Sequence, residues 1–359
     1  MDNNSSILEK AERELGGNPL TITSFPYPDG CPNNYHSDAS YWWPDPEKPD
    51  GLPFIRRDGF LYPGRFMAHK DLLLEIVHRS ETLYKAFLIT GDRKYSDGAV
   101  KALKTFFVTP ETRMNPYLLY SQAIKGLCRG RSIGLIDTLQ LVDIPLLLIA
   151  MKKNGAITES DFNAVAEWFT EYADWLYSGD FGKKELSEKN NHSITCALQL
   201  ASFSLFSPRR DEIHKLCEIK IMKDYIPHQI SSDGSMPEEL HRTRPYSYSI
   251  FSLDSLVTLF QVLSYSGKDL WNIADGRGVG LRTAVDFLAP FLKNNCLWPY
   301  GHDVEGFERL PLSSSFPLFA GRAYNDRALL DLYDDLSVRK PENTAEDRNI
   351  PVKYPELYL

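Results

Sequence analysis

Two short stretches of this chain place side chains that can move a proton beside side chains that can hold an anion. The first is Asn190-Asn191-His192-Ser193, directly before the apolar run 194–206. Its amides can donate hydrogen bonds, and a histidine can act as a base near neutral pH. The alternative is structural, because either asparagine is a natural N-cap that would leave His192 in the first turn of a helix.

The second stretch lies between Asp233 and Tyr248, just before another predicted helix. Its candidate residues are Glu238, Glu239, His241, Arg242, Arg244, Tyr246 and Tyr248. An arginine beside a tyrosine suits the binding of a carboxylate sugar and the removal of a proton from it. The alternative is a solvated loop with ion pairs, of which Glu239 with Arg242 would be one.

Three further stretches supply candidate ligand contacts: the early loop SYWWPDP with its continuation PFIRRDG, the run from Arg113 to Arg131, and WPYGHD near residue 300. Adjacent tryptophans among prolines favour stacking on a sugar face, although packing on the helices is an equal alternative. The substrate-binding candidates are Tyr41, Trp43, Arg56, Gln122, Arg131, Arg244, Tyr246 and His302.

The elements that must position these residues are mainly helical. Residues through about Phe66 are rich in Pro, Gly, Asp and aromatics, which predicts loops. From Met67 onward, apolar spacing predicts helices up to Gly91 and then near 93–108, 131–151, 159–178, 191–206, 209–229, 249–266, 278–293 and 316–335. Pro145 should kink or split the third of these helices.

This pattern predicts an all-α protein, with an α/α toroid, an incomplete ring of helical hairpins, as the architecture. In such a ring the loops between helices gather at one end and can build a cleft. We expect one domain over residues 1–359. Its loop-rich segment 1–66 would form part of the cleft, and residues 340–359 would form a C-terminal strap.

Composition excludes several classes of protein. The net charge of -8 is unfavourable for a nucleic-acid binder, and five scattered cysteines without a CxxC pair predict neither a zinc site nor a thioredoxin-like one. The longest apolar stretch, 144–151, is too short to span a membrane.

Salt screens exposed charges beyond about 10 Å, so the total charge says little about one cleft. Basic residues concentrate in the candidate stretches, and we therefore expect a basic cleft in an acidic protein. They are Arg56, Arg57, Arg129, Arg131, Lys189, Arg242 and Arg244.

Taken together, residues 36–305 resemble the alginate lyase superfamily, most closely polysaccharide lyase family 38 and more distantly family 5. The Asn-Asn-His-Ser element matches its catalytic motif, and Glu-Leu-x-Arg followed by a tyrosine matches its second motif. SYWWPDP and the RMNP…GRxxGxID run look like the family 38 subgroup. Well-known relatives have one more residue between the arginine and the tyrosine. Tyr248 is the preferred counterpart, and Tyr246 is the alternative.

The resemblance implies a polysaccharide lyase that cuts alginate (polymannuronate) or glucuronan by β-elimination, with no cofactor or metal. Asn191, His192 and Arg242 would neutralise the carboxylate, and Tyr248 would be the acid and base. As a base, a tyrosine must lower its pKa by roughly three units, which takes about 4 kcal/mol. For the other C5 epimer, His192 would be the base and Tyr248 the acid.

Two other functions remain open at this point. A glycoside hydrolase needs two carboxylates about 5–9.5 Å apart, and Asp233, Glu238, Glu239 and Asp303 are its candidates. A non-catalytic carbohydrate-binding protein would bind without turnover. The resemblance implies action in the periplasm or outside the cell. The N-terminus lacks a secretory signal, which leaves a cytoplasmic location open. The sequence does not predict an oligomeric state.

Overall fold

Helices dominate the computed structural model, which describes residues 3–27, 30–265, 267, 269–311, 313–338 and 350–359. The α-helices in these ranges are α1 (Asn3–Leu15), α2 (Ala68–Thr90), α3 (Arg93–Phe107), α4 (Asp143–Lys153), α5 (Glu159–Ser178), α6 (Asp180–Leu186), α7 (Asn191–Phe203), α8 (Arg210–Lys220), α9 (Pro237–Leu240), α10 (Pro245–Ser264), α11 (Leu281–Lys293), α12 (Phe316–Ala323) and α13 (Arg327–Ser337). Neighbouring helices pack pairwise around one core, as in an α/α toroid. The predicted fold class is confirmed.

Helix α7 lies at the centre of this packing. It contacts α5, α6, α8 and α10, and all of its residues except His192 are buried. A helix that is buried on every side needs small and apolar residues all round, and NHSITCALQLASF provides them. The N-terminus of α7 therefore has a fixed position in the molecule.

Four short strands form two pairs, one within the N-terminal loop and one that joins this loop to the segment after α3. Strand β1 (His36–Asp38) pairs in parallel with β4 (Tyr120–Ala123). Strand β2 (Trp42–Trp43) pairs antiparallel with β3 (Ile55–Arg56), with Trp42 opposite Arg56. The loop-rich segment is thus held beside the ring by backbone hydrogen bonds.

Several helix boundaries differ from the predicted ones. Residues 3–15, predicted as loop, form α1, which packs on α2 and buries Ala11 completely. The predicted 131–151 helix begins as a 3-10 segment, Ser132–Leu141, and Pro145 lies in the first turn of α4. Proline is tolerated there because first-turn N–H groups have no helical partner. The 209–229 helix continues as a π-helix from Ile221, and 316–335 divides into α12 and α13 near Asn325, whose φ is 52°.

The C-terminal residues pack against the start of α4. Tyr358 is fully buried and donates to Asp143 Oδ1 at 2.7 Å, while the backbone N–H of Lys353 donates to Oδ2 at 2.8 Å. Residues 340–349 of the predicted strap lie outside the described residues. Ser132–Lys153 has the length and hydropathy of a membrane span, and 78% of its most apolar window is buried in the fold, as in a core helix.

Candidate active site

A cleft of about 430 Å³ opens between the N-terminal loop, the 122–140 segment and the first turns of α7 and α10. The basic side chains that line it are Arg56, Arg65, Lys70, Arg131, Arg242 and Arg244. Among the described residues, Glu188 is the single acidic side chain on its wall. A protein with a net charge of -8 thus has a basic cleft, which agrees with the sequence-based expectation.

The two asparagines before His192 have separate roles. Asn190 is the N-cap of α7, and its side-chain oxygen accepts from the His192 backbone N–H at 3.1 Å. Asn191 lines the cleft and donates to Glu239 twice, through its backbone N–H and through Nδ2, both at 2.7 Å. Burial raises the pKa of Glu239, while the two bonds from Asn191 lower it. The capping and cleft roles are therefore compatible, because different residues perform them.

His192 is oriented by a buried carboxylate. Its Nδ1 lies 2.7 Å from Glu185 Oε1, on the last turn of α6, and the Glu185 side chain is fully buried. Burial raises the pKa of Glu185, and His192 opposes that shift. With Nδ1 donating to the carboxylate, Nε2 is the nitrogen left to accept a proton.

Tyr248 lies in the first turn of α10 and contacts two side chains, one from the segment just before α10 and one from the N-terminal loop. Arg242 Nη2 donates to Tyr248 Oη at 3.1 Å, and its guanidinium carbon lies 4.2 Å from the ring centroid. The Tyr41 hydroxyl, on the N-terminal loop, lies 3.0 Å from the same oxygen. Burial, reinforced by Tyr41, raises the pKa of Tyr248, against the lowering effect of Arg242. The phenol is therefore protonated in the free protein.

The other predicted cleft contacts come from the N-terminal loop, the 122–131 segment and the N-cap of α10. Gln122, Arg131, Arg56 and Arg244 all line the cleft. Arg244 donates to the carbonyl of Gly59 at 2.8 Å and also pairs with Glu305. This contact joins the start of α10 to the N-terminal loop.

Three predicted substrate contacts do not line the cleft. Neighbouring residues of a strand point to opposite faces, so on β2 Trp42 lines the cleft while Trp43 donates its indole N–H to the Phe60 carbonyl at 3.0 Å. Tyr246 is fully buried, and its hydroxyl donates to the Phe291 carbonyl at 2.8 Å.

His302 is the third of these residues. Its ring stacks on Phe307 with the centroids 3.9 Å apart, away from the cleft. The neighbouring Asp303 accepts from the backbone N–H of Tyr246 at 2.9 Å and thereby caps α10. The WPYGHD stretch therefore supports the start of α10 instead of contacting the cleft.

The structure adds residues that the sequence did not single out. Trp42 and Lys70 line the cleft, and Glu185 orients His192 from behind. Strand alternation separates Trp42 from Trp43, but it selects Trp42 only once the pairing of β2 with β3 is known. Glu185 carries no local signal, because it meets His192 only when α6 folds back on α7.

The carboxylates that a glycoside hydrolase would use are placed elsewhere. None of Asp233, Glu238, Glu239 and Asp303 lines the cleft. Glu239 is bonded to Asn191, and Asp303 caps α10. Glu188 alone cannot provide the pair of carboxylates that hydrolysis requires.

Comparisons with known proteins agree with this geometry. The alginate lyase family model matches residues 23–298. The structure of an alginate lyase from Bacteroides ovatus is similar, with 27% identity, a TM-score of 0.82, and coverage of 97% of this chain and 92% of that chain. No curated protein sequence matches at a significant level.

Two structures of a more distant enzyme share the fold alone. Alginate lyase A1-III from Sphingomonas species A1 has 15% identity and a TM-score of 0.52 over 89% of this chain and 86% of that chain. A histidine-to-alanine variant of A1-III complexed with a tetrasaccharide has 16% identity and a TM-score of 0.53, over 91% of this chain and 87% of that chain. Given the family match over most of its length, this chain belongs to the alginate lyase family and is a polysaccharide lyase.

Proposed function

We propose that the cleft binds alginate and cleaves it by β-elimination, with Asn191, His192, Arg242 and Tyr248 as the catalytic residues. The observation that carries this proposal is their convergence on one basic cleft from two separate helix starts. Glucuronan is the alternative polymer, since it offers the same carboxylate beside the same kind of C5 proton.

The first requirement is to neutralise the substrate carboxylate, because the C5 proton becomes acidic only when the developing negative charge is stabilised. Asn191 Nδ2 carries two hydrogens, of which Glu239 takes one. Arg242 brings a guanidinium fork, part of which holds Tyr248. These donors are preorganised by protein contacts, so they need not reorganise when charge develops.

The second requirement is a base for C5 and an acid for the departing oxygen. The raised pKa of Tyr248 keeps the phenol protonated, which suits the acid role directly. The Glu185–His192 pair provides the base, because the carboxylate stabilises the imidazolium that forms. This division of labour fits a uronate whose C5–H and C4–O lie on opposite faces, such as guluronate.

A second route applies when C5–H and C4–O lie on the same face, as in mannuronate. Tyr248 would then take the C5 proton and return one to the leaving oxygen. This route requires the phenol pKa to fall when substrate binds, and Arg242 is the adjacent charge that lowers it. We propose that both routes use the same cleft, with His192 essential for the first.

The test is to record the ultraviolet absorbance of the conjugated product during incubation with polyguluronate, polymannuronate and glucuronan. An absorbance rise on at least one alginate block is expected. A hydrolase would release reducing ends without absorbance, and a binding protein would retain polymer without either signal. Absence of absorbance on all three polymers would refute the proposal.

A further inference from the structure

We infer that Arg131, Gln122, Asp137 and Lys70 form a second carboxylate-recognition site on the wall of the cleft. This site would bind a uronate adjacent to the one that undergoes elimination, with Asp137 as a positioning residue. The inference rests on the proposed function, since it assumes a uronate polymer. The catalytic residues require one uronate, and the second site would require that the neighbouring sugar is also a uronate.

Arg131 is a cleft cation whose guanidinium is held by uncharged oxygen atoms. Its Nε and Nη2 donate to the backbone and side-chain oxygens of Gln122 at 3.0 and 3.1 Å. No carboxylate of the described residues lies within ion-pair distance of it, whereas Arg56 and Arg242 share Asp58. Burial lowers the pKa of Arg131. A partly buried guanidinium that lacks an anion is suited to receive one from the ligand.

Gln122 holds this guanidinium from a backbone conformation that non-glycine residues rarely adopt. Its φ is 49°, and its backbone N–H donates to Ser37 Oγ at 2.8 Å. Strain of this kind concentrates at ligand-binding positions, where the surrounding structure enforces it. Its Nε2 lies 3.4 Å from Asp137 Oδ1, so the amide oxygen is directed to Arg131.

Asp137 connects the two cationic donors. Its fully buried carboxylate accepts from Tyr35 at 3.1 Å and Ser37 at 2.6 Å through Oδ2, and from Lys70 at 2.9 Å and Gln122 through Oδ1. Lys70 lines the cleft with 17% of its side chain exposed, and Asp137 takes one of its three N–H donors. Because Asp137 accepts from both side chains, it fixes Lys70 and Gln122 in place.

The charge of the cluster identifies the ligand group as an anion. Lys70 and Asp137 cancel, which leaves the charge of Arg131 for the ligand. The Trp42 ring centroid lies 6.0 Å from the guanidinium carbon, and it offers a flat face for a sugar ring beside the cation. A uronate, with a flat ring and one carboxylate, fits both features.

The experiment compares Arg131→Gln and Lys70→Met with wild type on fully ionised alginate and on alginate with about half of its carboxylates methyl-esterified. We expect Arg131→Gln to raise KM roughly tenfold or more, as loss of a charge-assisted hydrogen bond does, with a smaller change in kcat. Lys70→Met should raise KM as well. Esterification should raise KM much more for wild type than for Arg131→Gln.

Arg129→Gln is the matched control. It removes the same charge two residues away, where Arg129 lies over the Tyr120 ring and does not line the cleft. Its KM should equal that of wild type. Equal ester sensitivity of wild type and Arg131→Gln, or an unchanged KM, would overturn the inference while leaving the lyase activity established.

Asp137→Asn tests the positioning role. We expect a raised KM and a nearly unchanged kcat for the folded variant, together with a lower thermal unfolding midpoint, because Lys70 loses its buried partner. A lowered midpoint with an unchanged KM would show that Asp137 only supports the fold. If the variant does not fold, the Lys70→Met and Arg131→Gln results still decide whether the second site exists. Inactivity of wild type on every uronan would instead refute the proposed function.

Discussion

The hydroxyls of Tyr41 and Tyr248 lie 3.0 Å apart and share one hydrogen bond across the cleft. Tyr248 also accepts from Arg242, so its proton is free to reach substrate when Tyr41 is the donor. Tyr41→Phe removes this bond and should lower kcat about tenfold, the effect of one lost hydrogen bond. Steady-state absorbance assays measure it.

Tyr62→Phe provides the comparison for that variant. Tyr62 lies on the same loop but does not line the cleft, and its ring packs against Trp43 and Phe54. Its kcat should match that of wild type. If Tyr41→Phe is as active as Tyr62→Phe, Tyr41 does not orient the phenol.

Tyr248 and Tyr246 should differ sharply on substitution. Tyr248→Phe removes the acid and should lower kcat by about 10² to 10⁴ on every substrate. Tyr246→Phe should retain activity and lose about 1–3 kcal/mol of stability, because the Phe291 carbonyl loses a buried donor. Assays combined with urea unfolding separate the two effects. The reverse pattern would assign catalysis to Tyr246.

Substitution of His192 should lower kcat most on polyguluronate. His192→Gln should lower kcat on polyguluronate by about 10² or more, and on polymannuronate by clearly less, because Tyr248 can serve there as the base. Glu185→Gln, which keeps the shape of the buried side chain, should follow the same substrate pattern more weakly. Equal losses on both polymers would mean that His192 has one role in both.

Asp254 should make stability depend on pH. It is fully buried and accepts from the backbone N–H of Phe316 at 2.8 Å, and burial raises its pKa to about 6. In the unfolded chain the pKa of an aspartate is about 3.9. Between about pH 4 and pH 6, Asp254 is therefore protonated in the folded protein and ionised in the unfolded chain. The contribution of Asp254 to the free energy of unfolding is highest below about pH 4. It falls by up to about 3 kcal/mol as the pH rises through 6.

Asp254→Asn removes that ionisation. The difference in unfolding free energy between wild type and Asp254→Asn should therefore shrink, or change sign in favour of the variant, between pH 4 and pH 7. Urea denaturation at several pH values measures it. A difference that does not vary with pH would mean that the carboxylate is charged throughout.

The helices and the catalytic motifs follow from local patterns, which is why they could be predicted. Asn191 and His192 precede an apolar run, and Arg242 and Tyr248 precede another, so each pair was visible within a few residues of sequence. The hydrogen-bond partners of the residues in these motifs could not be predicted in the same way. Glu239 reaches Asn191 across 48 positions, and Asp58 reaches Thr243 across 185. Contacts of this kind depend on how the ring closes, which local periodicity does not encode.

Trp43 and His302 show a different limit. The sequence identifies an aromatic or polar loop residue as a possible ligand contact, but it does not give the direction of the side chain. For Trp43 the strand face decides it, and for His302 the stacking on Phe307 decides it. For β2, a pair of residues was too short for alternation to be read without its partner β3.

The contact between Arg244 and Gly59 has a consequence for folding. Contacts across the cleft join residues separated by 185 to 207 positions, whereas most helix pairs form between neighbours in sequence. Pairings of long sequence separation form late, since the loop entropy must be lost before they stabilise the chain. On refolding from urea, helical circular dichroism should recover before lyase activity. Catalysis would therefore report the last step of folding, when the first sixty residues dock on the ring.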